Sequence, residues 1–130
     1  MKILVGFDGS NSAKDALTLA KKHAAAFSAE VIVVTSLTGG NVTHAVEVEH
    51  ATKDLEAAKK IFEDGGIPCD TKLLVRGMTP GEDIVVYAKE NSIDEIVIGI
   101  KRRSKVGKLL FGSNAQYVII KAPCPVVTVK

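Results

Sequence analysis

Length, composition and charge place this chain among small globular proteins and exclude several other classes. With 130 residues, 46% of them hydrophobic, it is long enough to bury one core. Runs without a polar residue, such as residues 96–100, are far shorter than the ~20 residues that a membrane-spanning helix needs. No signal-peptide pattern follows the N-terminus, and Cys69 and Cys124 match no metal or redox spacing. We therefore expect a cytosolic single domain of residues 1–130, with no membrane partner and with both thiols reduced in core or strand positions.

The net charge of +2 is concentrated in one segment. Residues 99–113, G-I-K-R-R-S-K-V-G-K-L-L-F-G-S, are here called the basic segment. They hold five basic and no acidic residues, which leaves 12 basic and 15 acidic residues, a net charge of −3, elsewhere. Such local basicity favours a discrete anion site over the broad basic surface of a nucleic-acid-binding protein. Phe111 belongs with two neighbouring leucines and is not interleaved with the basic residues, so we expect no nucleic acid partner.

The first half of the chain predicts two strand–helix units. Residues 2–6 are a short apolar strand that ends in the turn sequence D-G-S, and residues 12–27 repeat apolar side chains at the spacing of one helical face. Residues 31–34 form a β-branched run without alternation, as expected for a strand that is covered on both faces. Residues 44–63 again have helical spacing, and a pair of glycines ends that helix.

The second half continues the alternation. Residues 71–75 predict a third strand, and the sequence T-P-G-E at residues 79–82 supplies an N-cap, a first-turn proline and a capping-box glutamate for a helix that runs to about residue 91. Residues 96–100 predict a fourth strand and residues 125–130 a fifth. Between them the sequence S-x-x-Q opens a fourth helix, whose predicted inward-facing residues are Ala115, Val118 and Ile119.

The order βαβαβαβαβ predicts an α/β fold. Right-handed crossovers place helices on both faces of a parallel sheet, because each helix must pack back on the strands that it connects. Ligands of such sheets bind beyond the carboxyl ends of strands where the winding direction reverses. The loops after the first and fourth predicted strands both leave from carboxyl ends, so we expect the functional site there.

The basic segment has the features of an anion site. Gly112 and Ser113 stand where a helix begins, and free amides at a helix N-terminus together with the helix dipole attract negative charge. The segment is not a Walker A loop, because leucine follows Lys108 where serine or threonine would meet magnesium. No G-x-G-x-x-G dinucleotide fingerprint follows the first strand either. The alternative interpretation is a solvated basic loop whose glycines only shape turns.

Four sequence stretches make the chain similar to the small, single-domain universal stress proteins. They are V-G-F-D-G-S at residues 5–10, V-I-V-V at residues 31–34, the basic segment, and P-C-P-V-V-T-V near the C-terminus. The resemblance runs over the whole chain. It implies a single-domain, open five-stranded parallel sheet of order 3-2-1-4-5, Rossmann-like and related to the adenine nucleotide alpha hydrolases. It also implies a role in the stress response and a homodimer through the last strand, at residues 125–130.

The family's nucleotide signature is only partly matched. That signature is Gly, two residues, Gly, nine residues, then Gly and Ser or Thr, and Gly99, Gly112 and Ser113 fall in register. Arg102 stands at the second glycine position, where it would either crowd the triphosphate path or grip a phosphate with its guanidinium. The R-R-S-x-V-G-K variant with Gly107 resembles a recurrent subgroup. The resemblance thus favours retained binding of ATP or ADP, with or without Mg²⁺, over an empty site.

The resemblance also implies the residues of the nucleotide site. They are Asp8, Ser36, Ile98, Gly99, Arg102, Arg103, Gly107, Gly112, Ser113 and Asn114. By this resemblance Asp8 contacts the adenine or the ribose of the nucleotide. It is also the one residue that would contact the Mg²⁺ of a bound nucleotide. Ser36 lies at the adenine pocket and Ile98 packs near the base. Asp8 has an ordinary alternative role as the residue that organises the turn or caps the first helix.

No residue is predicted to be catalytic. Ser10 and Ser12 lack a nucleophile elbow and a histidine to activate them, so they are interpreted as helix caps. His23, His44 and His50 have no carboxylate or cysteine at ligand spacing and are expected at the surface, so no metal site is predicted.

Three functions remain open at this point. The first is a cytosolic regulatory protein that takes up an adenine nucleotide and passes its occupancy to an unknown protein partner. The second is a nucleotide-independent interaction module whose basic segment docks an acidic partner or another anion. The third is an enzyme with slow ATP hydrolysis, for which Asp8 alone would be thin support, because hydrolysis needs a held metal and a group that positions water.

Overall fold

The computed structural model describes residues 1–39, 45–100 and 112–130. These residues form nine elements: β1 (Lys2–Gly6), α1 (Asn11–Phe27), β2 (Glu30–Leu37), α2 (Ala45–Asp64), β3 (Cys69–Val75), α3 (Pro80–Glu90), β4 (Glu95–Gly99), α4 (Ser113–Lys121) and β5 (Val126–Val129). Three predicted site residues lie outside the described residues: Arg102, Arg103 and Gly107. His44 and the predicted start of α2 lie outside them as well.

The described strands form one parallel sheet in the order β3-β2-β1-β4-β5. This confirms the predicted fold class and strand order. β1 is central: Gly6 pairs with Val34 of β2 on one side and with Ile98 of β4 on the other. Because the chain moves outward from β1 to β3 and then returns to β4, the winding direction reverses between β1 and β4. The carboxyl ends of these two strands therefore adjoin the crevice that α/β sheets use for ligands.

Two apolar layers hold the helices on opposite faces of the sheet. Alternate side chains of a strand point to opposite faces, so Ile3 and Val5 of β1 pack with α1 and α2, while Leu4 packs with α3 and α4. In the first layer Phe62 of α2 is fully buried. The face of α1 that meets the sheet is built largely of alanines, which let the helix approach closely: Ala13, Ala16, Ala20 and Ala24.

β2 is longer than the sequence pattern predicts. The prediction ended at residue 34 with the last residue of the β-branched run, but Thr35, Ser36 and Leu37 continue the pairing with β3. The Thr35 hydroxyl is buried and donates a hydrogen bond to the Phe7 carbonyl at 2.8 Å. A polar residue can therefore extend this strand, because its hydroxyl is satisfied inside the fold.

The prediction for α4 is right at its start and partly wrong in its inward face. The helix begins at Ser113 after the N-cap Gly112, and no side chain of the described residues caps it. Val118 is buried, but Ile119 is 42% exposed. The physical reason is that α4 lies at the edge of the sheet and packs chiefly on α3, which leaves the flank with Ile119 uncovered by any other described element.

Within the described ranges, no helix is long and apolar enough to cross a membrane.

Candidate functional site

A cavity of about 170 Å³ opens at the carboxyl ends of β1, β2 and β4. Its walls also include the start of α3 and the first turns of α1 and α4. The lining residues are Gly6, Phe7, Asp8, Ala13, Val34, Ser36, Pro80, Ile84, Ile98, Gly99, Asn114, Ala115 and Val118. The cavity therefore lies at the reversal between β1 and β4, where the sequence analysis expects the site.

The cavity combines apolar walls with a few polar atoms. Val34, Ile98 and Val118 belong to the buried core beneath it. Ligand sites in proteins are typically apolar clefts with a small number of placed polar groups, which matches this lining. Among the described lining residues, those with polar side chains are Asp8, Ser36 and Asn114.

Five of the predicted site residues thus line one cavity: Asp8, Ser36, Ile98, Gly99 and Asn114. The predicted residues Gly112 and Ser113 form the start of α4 but are not among the lining residues. Arg102, Arg103 and Gly107 lie outside the described residues. The role of each of these ten residues in binding stays a prediction.

Asp8 organises the loop between β1 and α1. Its carboxylate Oδ1 accepts a hydrogen bond from the Ser10 amide at 2.9 Å. Ser10 is the N-cap of α1 and accepts from the Ala13 amide at 3.2 Å, while its hydroxyl lies 3.3 Å from that of Ser12. The turn-forming role of Asp8 and the capping role of Ser10 are therefore confirmed. Asp8 lines the cavity as well, so the structural role does not remove it from the site.

Ser36 is held by a buried carboxylate that the sequence analysis missed. The Ser36 hydroxyl donates to Asp83 Oδ2 at 2.7 Å, and Asp83 of α3 is 0% exposed. Arg76 Nε donates to Asp83 Oδ1 at 2.7 Å, and the Arg76 guanidinium also forms an ion pair with that oxygen. A buried charge is costly unless it is paired, and here Arg76 supplies the pairing.

Arg76 is itself fixed at two places. Its Nη1 donates to Glu90 Oε1 at 2.8 Å, and its Nη2 donates to the Asp83 carbonyl at 3.3 Å. The hydrogen bond to Glu90, opposed by some desolvation and supported by Asp83, raises the pKa of Arg76 above its ordinary value. The side chain is therefore a permanent cation beside the cavity wall. The sequence signal that could have found this pair is Asp83 itself, which falls on the inward apolar face of α3, four residues before Tyr87.

Gly99 permits the close contact between β4 and α1. A β-carbon at Gly99 would come closer than 3.0 Å to the backbone of Ser12 and Ala13, a distance that real side chains essentially never show. At Gly112, by contrast, no described atom lies within 4 Å of such a β-carbon. Packing within the described residues thus requires a glycine at position 99 but not at position 112.

The start of α4 presents backbone donors. The first intrahelical bond runs from the Gln116 amide to the Gly112 carbonyl, so the amides before Gln116 have no carbonyl partner within the helix. Asn114 Oδ1 accepts from the Gly81 amide at 3.0 Å, which fixes the side-chain amide with its oxygen toward α3. The α4 start can therefore hold an anion with main-chain N–H groups.

One expectation about the histidines is wrong. His23 does have a carboxylate partner: its Nδ1 lies 2.7 Å from Glu95 Oε1. The two residues are 72 positions apart and meet because α1 packs on β4, a relationship that residue spacing cannot reveal. Glu95 begins β4, at the opposite end of the sheet from the cavity. His50 is exposed, as predicted.

The described cysteines are free thiols, as expected. Cys69 lies on β3 and Cys124 precedes β5, and both are half-buried. Burial raises the pKa of Cys69 to about 11. Among the described residues no group of three or more His, Cys, Asp or Glu side chains could hold a metal ion.

A parallel five-stranded sheet with a cavity at its reversal point, bounded by a helix N-terminus, defines a Rossmann-like α/β protein with a candidate ligand site at the carboxyl ends of its strands. The chain belongs to the universal stress protein family. The model of that family, described as "Universal stress protein family", matches residues 1–130.

Individual relatives agree with this assignment. A universal stress protein of Thermus aquaticus is 36% identical, with 98% of this chain and 97% of that protein covered. A solved universal stress protein from Archaeoglobus fulgidus is 41% identical and has a TM-score of 0.92, with 100% of this chain and 98% of that chain covered. A second Archaeoglobus fulgidus universal stress protein structure, in complex with dAMP, is 37% identical with a TM-score of 0.86, and 100% and 98% of the two chains are covered.

Proposed function

We propose that this protein is a cytosolic regulatory protein of the stress response that binds an adenine nucleotide, ATP or ADP, in the cavity between β1 and β4. The observation that carries the proposal is that one cavity at the reversal point combines apolar walls with the start of α4, where the amides before Gln116 have no carbonyl partner within the helix. The Archaeoglobus fulgidus protein in complex with dAMP supports the same ligand class.

The cavity suits the base. Its volume is about 170 Å³, and an engineered apolar cavity of about 150 Å³ in another protein binds benzene. The lining residues Val34 and Ile98 would offer apolar surface to the faces of a ring, and Ser36 would offer a polar atom to its edge. A nucleobase is such a ring with hydrogen-bonding edges, so the lining fits it better than it would fit a sugar alone.

The phosphates would meet the start of α4. Backbone N–H groups and the helix dipole favour an anion there, and the sequence of the basic segment adds five cations before this helix. Asp8 lies across the same cavity, on the loop after β1. Asp8 carries the one carboxylate among the described cavity-lining residues and would be a hard oxygen ligand for a Mg²⁺ ion carried by the nucleotide.

A second candidate function is favoured by one observation, the arginine at position 102. A long side chain in place of the second signature glycine would fill the triphosphate path, and the protein would then dock an acidic partner or another anion without nucleotide. The two candidates differ in one measurable property. Nucleotide found at stoichiometric level by native mass spectrometry of the freshly purified protein would reject the second candidate.

A titration decides the proposal independently of what copurifies. We expect ATP and ADP at millimolar concentration to raise the melting temperature of the wild type, because a ligand that binds only the folded state stabilises it. Gly112→Glu places a negative charge at the α4 N-terminus and should abolish the rise. Ala26→Glu, which adds the same charge at an exposed position of α1 remote from the cavity, should keep it. The absence of any rise in the wild type would reject nucleotide binding.

A further inference from the structure

The Ser36 hydroxyl at the cavity has a fixed hydrogen-bonding polarity. Ser36 and Val34 lie on the same face of β2, and both line the cavity. We propose that Asp83, held by Arg76, makes Ser36 a hydrogen-bond acceptor toward the ligand, so that the site selects a ring bearing an amino group over a ring bearing an oxo group at the same position. This inference rests on the proposed nucleotide function and names the selectivity of the same site.

The argument begins with the inventory of donors and acceptors. A hydroxyl has one proton to donate and two lone pairs to accept with, whereas an ionised carboxylate only accepts. The 2.7 Å contact between Ser36 Oγ and Asp83 Oδ2 therefore uses the serine proton. The Ser36 hydroxyl therefore has only lone pairs left for a ligand, and it can act toward that ligand only as a hydrogen-bond acceptor.

The carboxylate is locked in this arrangement. Asp83 has no exposed surface, and its second oxygen, Oδ1, accepts from Arg76 Nε at 2.7 Å. Arg76 is anchored in turn by Glu90 and by the Asp83 carbonyl. Because the two carboxylate oxygens are bound from two different sides, the group cannot rotate away from Ser36 without breaking a charged hydrogen bond, and such bonds are among the strong ones. Asp83 is thus a positioning residue, which acts through Ser36.

For a purine ligand, the substituent at position 6 decides whether Ser36 can form a hydrogen bond with it. The 6-amino group of adenine donates a hydrogen bond and would pair with the Ser36 lone pairs. The 6-oxo group of hypoxanthine accepts, so two acceptors would face each other and neither would be satisfied. Sites that hydrogen-bond a ligand group discriminate against analogues that leave a buried polar group unpaired. We therefore expect adenosine 5′-monophosphate to bind at least about tenfold more tightly than inosine 5′-monophosphate.

The experiment compares these two nucleotides by calorimetric titration on the wild type and three variants. Ser36→Ala removes the acceptor and should bring the affinity ratio close to one, chiefly by weakening the adenosine nucleotide. Asp83→Asn turns the group that faces Ser36 into an amide, which can donate to the serine oxygen. The serine proton is then free to bond to the ligand. The affinity ratio should therefore fall because the inosine nucleotide binds more tightly. A general loss of stability would not move the ratio in this way.

Thr35→Val is the matched control. Thr35 is the neighbouring hydroxyl of β2, but it points away from the cavity and donates to the Phe7 carbonyl. Its loss removes a buried hydrogen bond and leaves the Ser36–Asp83 contact in place, so the ratio should stay at the wild-type value even if stability falls. Should Asp83→Asn fail to fold, Ser36→Ala decides the question, because it leaves the Arg76–Asp83 ion pair intact.

The outcomes are distinguishable. If neither nucleotide binds the wild type, the proposed function fails and the inference falls with it. If the adenosine nucleotide binds without preference, or if Ser36→Ala leaves the preference unchanged, the nucleotide function stands and the role of Ser36 is rejected. A wild-type preference that Ser36→Ala removes and Thr35→Val keeps supports the inference.

Discussion

Gly99 at the end of β4 lies directly against the backbone of Ser12 in the first turn of α1, with no room for a β-carbon between them. The nucleotide signature accounts for Gly99 because phosphate must come close to the backbone. The structure gives a second reason for the same glycine, because α1 packs closely against it. The two explanations make different predictions, because the first concerns the bound state and the second concerns the fold itself.

The pair Gly99→Ala and Gly112→Ala separates them. Gly99→Ala forces the start of α1 away from β4, and we expect a loss of about 1–3 kcal/mol in the free energy of unfolding, the usual cost of overpacking. Gly112→Ala meets no described atom and should cost only about 0.5–1 kcal/mol, the difference between Gly and Ala at an N-cap. Urea unfolding of both variants measures this, and equal stability of the two would contradict the packing role of Gly99.

The Arg76–Asp83 pair should matter for stability as well as for selectivity. Arg76→Met leaves a fully buried carboxylate without its cation, for which the cost in buried pairs is roughly 3–5 kcal/mol. Because the Arg76 side chain is 30% exposed, we expect a cost at or just below the bottom of that range, about 2–3 kcal/mol. The measurement is chemical denaturation near neutral pH.

Glu90→Gln is the control for this prediction. It removes the other carboxylate partner of Arg76, but Glu90 is 54% exposed, and exposed ion pairs contribute only about 0–1 kcal/mol. A loss from Glu90→Gln as large as that from Arg76→Met would show that the buried position of Asp83 is not the source of the effect.

Cys69 should lower the free energy of unfolding as the pH becomes alkaline. Its pKa is raised by burial from 9.0 to about 11 in the folded protein, so an unfolded chain loses the thiol proton first as the pH rises. The contribution of the neutral buried thiol is fully present below pH 9 and is lost as the pH rises through 11. We expect the free energy of unfolding of wild type to fall relative to that of Cys69→Ala between pH 9 and pH 11. Urea unfolding of both proteins across this range measures the difference. A constant difference over this range would contradict the raised pKa.

The sequence predicted the alternation of strands and helices because buried strands and amphipathic helices differ in period and composition over whole segments. The order of the strands came with the family resemblance, since crossover handedness alone does not decide on which side of β1 the fourth strand pairs. Ile119 shows the limit of periodicity: the helical pattern identifies an apolar residue but does not say whether a neighbouring element covers it.

The sequence predicted the lining residues that lie in loops at strand ends. It missed the side-chain contacts that form only when separate elements pack together. Asp8 follows β1 and Gly99 ends the adjacent strand β4, so their proximity follows from a parallel sheet. The Ser36–Asp83 contact joins residues 47 positions apart and requires the register between β2 and α3, which no local pattern encodes. His23 and Glu95 were missed for the same reason, because only the docking of α1 on β4 brings them together.

The homodimer through residues 125–130 stays a prediction, and the edge of β5 offers a direct test. β4 amides donate to the carbonyls of Pro125 and Val129, so Thr128, one residue out of phase, turns its N–H away from β4. Among the described strands β5 pairs with β4 alone, and exposed edges of this kind invite pairing with another strand. A dimer that pairs β5 with its copy would use the Thr128 N–H, which proline lacks.

We therefore expect wild type to sediment as a dimer and Thr128→Pro as a folded monomer, measured by analytical ultracentrifugation with circular dichroism as the check on folding. Thr128→Ala keeps the N–H and serves as the control, so it should remain dimeric. A dimer that survives Thr128→Pro would place the contact elsewhere. The next surface to substitute would be the flank of α4 with Tyr117 and Ile120, because these large side chains are 38% and 73% exposed.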